Sequence, residues 1–144
     1  SGRKSVLEGV PKNLPSLTRA YRIQEKSSKV GFDWNTSGDA FKKIDEELQE
    51  FKAEAESNKN TEGKLTDEVR TRLEKEMGDI LFAIVNYARF FEINPENALR
   101  LTIEKFIKRF NFIEDELGTR GKKVTESDLA EMDAIWNEAK KVIK

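Results

Sequence analysis

Apolar residues return at steps of three and four through most of this chain, the spacing of one face of a helix. Phe41, Ile44, Leu48, Phe51 and Ala55 form one stripe, and Val69, Leu73, Met77, Ile80, Ile84 and Ala88 form a second. Leu99, Ile103, Phe106, Phe110, Ile113 and Leu117 make a bundle seam too short for a long coiled coil. Leu129, Met132, Trp136, Ala139 and Ile143 repeat the pattern near the end. An earlier helix is expected from about Leu14-Pro15 through Leu17, Ala20, Tyr21 and Gln24 to Lys29. The end signals agree: Gly31 after the first helix, Ser37-Gly38-Asp39 before the second, Thr66 before the third. Asn94-Pro95 opens the fourth, Gly118 stops it, and Ser127 starts the last after a basic turn at Arg120-Gly121-Lys122-Lys123. Residues 57–64 are polar, contain glycine and read as an exposed, mobile connection. The expectation is an all-α fold: a bundle of four to five helices over residues 14–144, behind a flexible lead of residues 1–13.

The third stripe-bearing segment, counted from the start of the chain, changes character midway. From Ile80 to Phe91 apolar residues fall on nearly every side, with Phe82, Val85 and Phe90 off the stripe. A helix that is apolar all round needs cover on more than one face, so a neighbouring subunit, most simply in a homodimer, is expected. Charged and apolar residues each make up 37% of the chain, with few glycines and prolines, which suits one helical domain with a single core. The formal charge is −1 and its signs are interspersed, which argues against a nucleic-acid partner. No apolar run reaches the length of a membrane span, so no membrane partner is expected. No secretory pattern opens the chain and cysteine is absent, which fits a cytoplasmic location; Ser1-Gly2 reads as an expression scar.

Chemistry gathers beside the Phe41–Ala55 and Val69–Ala88 stripes. At about 100° per residue Glu47 lies only about 40° from Phe51, and Glu50 follows one turn along. Glu76 and Asp79 hold the same spacing beside the next stripe. Packing these stripes together brings four carboxylates to the edge of a core, where they repel and some protonate unless a cation is present. Oxygen ligands alone suit a hard ion such as magnesium or manganese. The chain has no histidine and no cysteine, which removes zinc and haem sites, Ser-His catalysis, thiol chemistry and Glu-x-x-His di-iron bundles. The competing reading is a solvated glutamate face, the common state of such residues.

Glu46-Glu47-Leu48-Gln49-Glu50, a spacer, and Glu76-Met77-Gly78-Asp79 running into Ile80-Leu81-Phe82-Ala83-Ile84-Val85-Asn86 together resemble the MazG family of nucleoside triphosphate pyrophosphohydrolases. The likeness extends from Leu14-Pro15-Ser16-Leu17 and Val30-Gly31-Phe32-Asp33-Trp34 to the Lys105–Phe110 block and Trp136-Asn137-Glu138-Ala139-Lys140. Val6 to Pro11 is similar to the segment that precedes the C-terminal catalytic domain of two-domain members, so the chain resembles that C-terminal half.

The resemblance implies the all-α NTP pyrophosphatase fold and attack at the α-phosphorus, giving a nucleoside monophosphate and pyrophosphate in nucleotide-pool house-cleaning. It implies Mg2+, with Mn2+ as a substitute, held by Glu47, Glu50, Glu76 and Asp79. Glu47 and Glu50 are the catalytic candidates, with Glu47 also suited to orient the attacking water. Divalent ions reconcile a triphosphate with carboxylates, polarise phosphorus and lower the pKa of a bound water. Glu46, about 100° from Glu47, is a weaker candidate for support or an additional ion. Lys105, Arg109, Trp136 and Lys140 match the family's substrate-binding blocks, although a single lysine or arginine is more often solvent decoration. Arg19 and Gln24 are candidates for touching the nucleoside, and Trp34 is open to two readings, base stacking or packing. Ile103 stands where relatives commonly carry asparagine; it suits the hydrophobic seam but removes any nucleotide contact that asparagine makes. Two alternatives stay open: a non-enzymatic helical interaction module, and a related hydrolase of dUTP or nucleoside diphosphates.

Overall fold

Capping chemistry sets the helix boundaries. Thr36 Oγ1 accepts from the Asp39 amide at 3.1 Å, Thr66 Oγ1 from the Val69 amide at 3.3 Å, and Asp128 Oδ1 from the Glu131 amide at 2.8 Å. The computed structural model describes residues 5–58 and 63–144; residues 1–4 and 59–62, which include Ser1-Gly2 and part of the expected connection, lie outside it. Among the described residues the helices are α1 (Ser16–Lys29), α2 (Ser37–Ser57), α3 (Asp67–Arg89), α4 (Pro95–Thr119) and α5 (Leu129–Val142). A 3-10 turn, Val124–Glu126, precedes α5, and no strand occurs among these residues. The all-α expectation is met. Among the described residues no helix is long and apolar enough to cross a membrane.

Three end signals differ from the sequence reading. Thr36, rather than the cluster after it, caps α2, and Asp128 rather than Ser127 caps α5. Gly118 sits inside α4; the reversal comes at Gly121, whose φ of 70° is the left-handed conformation glycine adopts freely. Lys122 then donates to the Leu117 carbonyl at 2.9 Å, satisfying the helix end. Gly31, with φ 91°, serves the same purpose after α1.

The chain packs as two units, Ser1–Glu96 and Asn97–Lys144. In the first unit α3 is the hub. It runs antiparallel to α2, because Phe41 meets Tyr87 at 5.5 Å between ring centroids while Glu54, further along α2, meets Arg72, earlier on α3. Ala40, Ile44, Leu73, Ile80 and Val85 are buried there. The lead is more structured than its lack of periodicity suggests: Glu8 and Val10 donate backwards in tight turns and Val10 is buried. In the second unit Ile113, Leu117 and Ile135 form a core, with Phe110, Phe112, Val124, Met132 and Trp136 packed against it.

Stripe positions are not uniformly covered. Phe41, Leu48, Met77, Ile84, Leu99, Ile103, Phe106 and Leu129 are exposed, whereas Ile135, off the α5 stripe, is buried. A three-four period defines a face of a helix but leaves open which edge of it a neighbour covers. Ile103 is half exposed instead of closing a seam.

Two tests follow from this packing. Leu117 is fully buried, so Leu117→Ala should cost about 2–5 kcal/mol of unfolding free energy, read from denaturant midpoints. Glu131 accepts from Ser127 Oγ at 2.5 Å, Lys122 Nζ at 3.2 Å and Arg120 Nη1 at 3.1 Å. Those contacts, the Ser127 hydroxyl first, pull its carboxyl from 4.5 down to about 2 against the opposing effect of burial. A folded-state pKa below the unfolded one gives stability that is complete above about pH 4.5 and lost as pH falls towards 2. The melting-temperature gap between the protein and Glu131→Gln should therefore be widest above pH 4.5 and close as pH approaches 2.

Candidate functional site

Successive turns of α2 present Lys43, Glu47, Glu50 and Glu54, and the facing turns of α3 present Arg72, Glu76 and Asp79. The two acidic motifs thus lie on neighbouring helices of one unit. Glu47 is mostly covered, its side chain 12% exposed, and meets Lys43 Nζ at 2.8 Å. That hydrogen bond, and then the charges of Glu47, Glu46 and Glu50, raise the Lys43 pKa against the effect of burial. Glu46 itself is exposed.

The tightest like-charge encounter involves a residue the sequence reading missed. Glu54 meets Glu76 carboxyl to carboxyl, and each shifts the other's titration. Glu54 also receives Arg72 Nε at 2.5 Å. The bond from Glu76 first, then Arg72, pull Glu54 down. The same bond to Glu54, followed by burial and the charges of Glu54 and Glu50, pushes Glu76 up, with Arg72 opposing. Glu76 Oε2 is shut away from solvent with no hydrogen-bond partner. A signal for both missed residues was present: Glu54 is four after Glu50 and Arg72 four before Glu76, each one turn away on the same face.

Among the described residues no three carboxylates form a metal-ligand set; Lys43 pairs with Glu47 and Arg72 with Glu54. Glu47, Glu50, Glu76 and Asp79 are nevertheless oxygen donors on two packed helices, and Glu76 Oε2 is an unpaired acceptor at their meeting. That donor chemistry fits a hard divalent ion.

Glu47, Lys43 and Asp79 also border a cavity of about 750 Å³. Its wall runs along Phe82, Ala83 and Asn86 of α3, crosses Ile23, Gln24 and Ser27 of α1, and closes with Phe32, Asp33, Trp34 and Leu7. The Gly31–Trp34 loop is anchored: Arg89 Nη2 donates to Asp33 Oδ1, and Asp33 Oδ1 accepts from the Trp34 amide at 2.8 Å. Trp34 is 43% exposed and lines the cavity, so it is not an ordinary packed core ring. Gln24 lines the same cavity, while Arg19 stands on α1 outside that wall, with Nε buried and unpartnered.

The basic candidates belong to the second unit. Arg109 Nε donates to the Ile143 carbonyl at 2.9 Å and its guanidinium lies 5.3 Å from the Trp136 ring centroid. The Phe106 ring centroid lies 5.4 Å from that of Trp136. Lys105 borders a shallow cleft of about 350 Å³ with Leu101, Thr102, Glu104, Lys108 and Ile143. Lys140 is exposed on the last turn of α5. Arg109 and Trp136 are thus brought together.

Residues 36–113, which hold α2, α3 and most of α4, match the MazG nucleotide pyrophosphohydrolase domain. The chain is 39% identical over 137 residues to the nucleoside triphosphate pyrophosphohydrolase of Escherichia coli K12, covering 95% of this chain and 49% of that protein. It is 39% identical over 127 residues to the nucleoside triphosphate pyrophosphohydrolase/pyrophosphatase MazG of Thermotoga maritima, covering 88% and 45%. It is 41% identical over 143 residues to the Bacillus subtilis protein YabN, covering 97% and 27%. The chain spans about half the length, or less, of these relatives. Carrying the family's acidic motifs on two packed helices within the matched region, the chain belongs to the MazG nucleotide pyrophosphohydrolase family.

Proposed function

We propose that this chain hydrolyses nucleoside triphosphates to a nucleoside monophosphate and pyrophosphate with the help of a divalent cation, Mg2+ or in its place Mn2+. The observation that carries the reading is the placement of the two acidic motifs on packed helices beside a cavity of about 750 Å³, with Glu76 Oε2 buried and unpaired. Family membership and the names of the E. coli and T. maritima relatives support it. A solvated acidic face on a simple interaction module does not account for a buried, unpartnered carboxylate oxygen.

Glu47, Glu50, Glu76 and Asp79 would hold the cation, which supplies charge neutralisation for the phosphates and Lewis acidity at phosphorus. In the hydrolysis, a water oxygen bonds to the α-phosphorus and the bond to the bridging α–β oxygen breaks. Glu47, next to the cavity, is the group placed to orient that water, with Glu50 one turn away. Lys43, already paired with Glu47, offers the nearest positive charge to an incoming phosphate. Trp34 offers a ring face for the base. Lys105, Arg109, Trp136 and Lys140 supply phosphate contacts in this reading. The exposed apolar residues of α3 and α4 favour a homodimer, and cysteine-free composition favours the cytoplasm.

The test is pyrophosphate release from a panel of triphosphates with magnesium, with and without chelator. Removing a cation ligand should cost at least the ~10–100-fold that loss of a supporting residue typically costs. Glu50→Ala and Asp79→Ala should therefore lower turnover by that much or more while circular dichroism stays unchanged. Retained hydrolysis in either variant, or after chelation, contradicts the metal assignment.

A further inference from the structure

The wall of the cavity includes a stretch that apolar packing does little to hold. It is the loop between α1 and α2, where Val30, Phe32 and Trp34 are all exposed, Phe32 by 80%. Side chains left in water contribute little hydrophobic energy to keeping a loop in place. Its first half is fastened by backbone, the Gly31 amide donating to the Ser28 carbonyl at 3.0 Å and the Phe32 amide to the Ser27 carbonyl at 3.0 Å. Its second half carries Asp33 and Trp34, which line the cavity, and reaches α3 through the Asp33 carboxylate.

That carboxylate meets Arg89, in the last turn of α3. Arg89 Nη2 donates to Asp33 Oδ1, the oxygen that also accepts from the Trp34 amide at 2.8 Å. The same guanidinium donates to Asn86 Oδ1 from Nη2 at 3.0 Å and from Nε at 3.3 Å, and lies 5.1 Å from the Phe90 ring centroid. The side chains of Arg89 and Asp33 are 13% and 24% exposed, so water and salt screen this pair less than a surface one. Arg89 is not among the residues lining the cavity, yet it holds two that are, Asp33 and Asn86, and through Asp33 it orients Trp34. A planar fork gripped by these partners is a rigid bracket, which the single point charge of a lysine does not reproduce.

We propose that Arg89 is a positioning residue for nucleotide binding: it latches the Asp33–Trp34 half of the loop to α3, and the cavity encloses a nucleoside only while that latch is closed. This rests on the triphosphate reading above. With the latch broken, the fraction of molecules whose wall is assembled falls, and the apparent affinity for nucleotide falls in proportion. The carboxylates assigned to the cation stand on α2 and on earlier turns of α3, so their chemistry does not run through the loop.

Two measurements on the full chain test this, and the first needs no substrate. With Trp136→Phe as background, Trp34 is the sole tryptophan. Acrylamide quenching of its fluorescence should rise, and its emission move to longer wavelength, on adding Arg89→Met or Asp33→Ala. The second compares magnesium-dependent binding of ATP with that of inorganic tripolyphosphate, which has no nucleoside to enclose, in the native-tryptophan background. Arg89→Met should raise KM and calorimetric Kd for ATP about tenfold or more, the worth of one charge-assisted hydrogen bond, with the effect on KM rather than kcat. The tripolyphosphate Kd should not move. Asp33→Ala should match this, and the double variant should be no worse than the weaker single one, as expected for two halves of one contact. Unchanged quenching in both single variants overturns the latch. Raised quenching with an unchanged ATP Kd overturns its role in binding, and so does an equal weakening for ATP and tripolyphosphate, the mark of a merely structural residue. Asp33 lies in an exposed loop outside the helices, so its variant decides the question even where Arg89→Met does not fold. If no triphosphate is hydrolysed the functional reading fails by itself, and the ATP and tripolyphosphate Kd values still decide the role of Arg89.

Discussion

Like-charge repulsion between α2 and α3 is the constraint around which this protein is arranged. Two carboxylates 4 Å apart repel by about 4 kcal/mol at the effective dielectric of a protein surface. An exposed ion pair returns only about 0–1 kcal/mol, so decoration with lysines would not offset that. The first unit answers with Lys43 paired to Glu47 and Arg72 paired to Glu54, while the Glu76 carboxyl, beside Glu54, is pushed up. Each compensating cation lies one turn from the motif it serves or on the helix opposite, so the antiparallel packing and the charge pattern require one another.

The same helix that carries half of the acidic site also builds the cavity. Asp79, Phe82, Ala83 and Asn86 follow the helical repeat along one face of α3, leading from carboxylate to carboxamide over two turns. Phe82 contributes its backbone as well as its ring, since its carbonyl holds Gln24. One turn further on, Arg89 clamps Asn86 and Asp33 together, tying the Trp34 loop to the end of α3. The acidic motif and the cavity wall therefore share a rigid ruler, and a helical ruler positions groups better than loops do.

Much of this was legible in the sequence because it is local. Helix number and ends follow from periodicity and capping, and the Glu47/Glu50 and Glu76/Asp79 spacings from the helical repeat alone. The corrections arise where two elements had to meet. Glu54 and Arg72 look like ordinary surface residues until the antiparallel register sets them face to face. Gln24, named from the sequence as a candidate for touching the nucleoside, gains its partner and direction only from the Phe82 carbonyl. Gly118 looked like a stop, but a glycine ends a helix only where the backbone turns left-handed, and that happens at Gly121. Val10 was hidden because a single buried side chain in a turn has no period to detect.

Element length explains why the α4 seam is half bare. α4 has 25 residues and α5 has 14. At 1.5 Å per residue these are about 38 and 21 Å long, so α5 covers little more than half of its neighbour. The covered part is the C-terminal one, where Ile113 and Leu117 meet Ile135. Leu99, Leu101, Ile103, Phe106 and Ile107 occupy the turns beyond it and are about half exposed. A continuous apolar run on one helix carries a hydrophobic cost of roughly 25 cal/mol per Å² left in water. Isolated apolar residues are normal on surfaces, but five within nine positions are not. Ile103 belongs to this set. An isoleucine there lengthens the apolar run by one more half-exposed side chain.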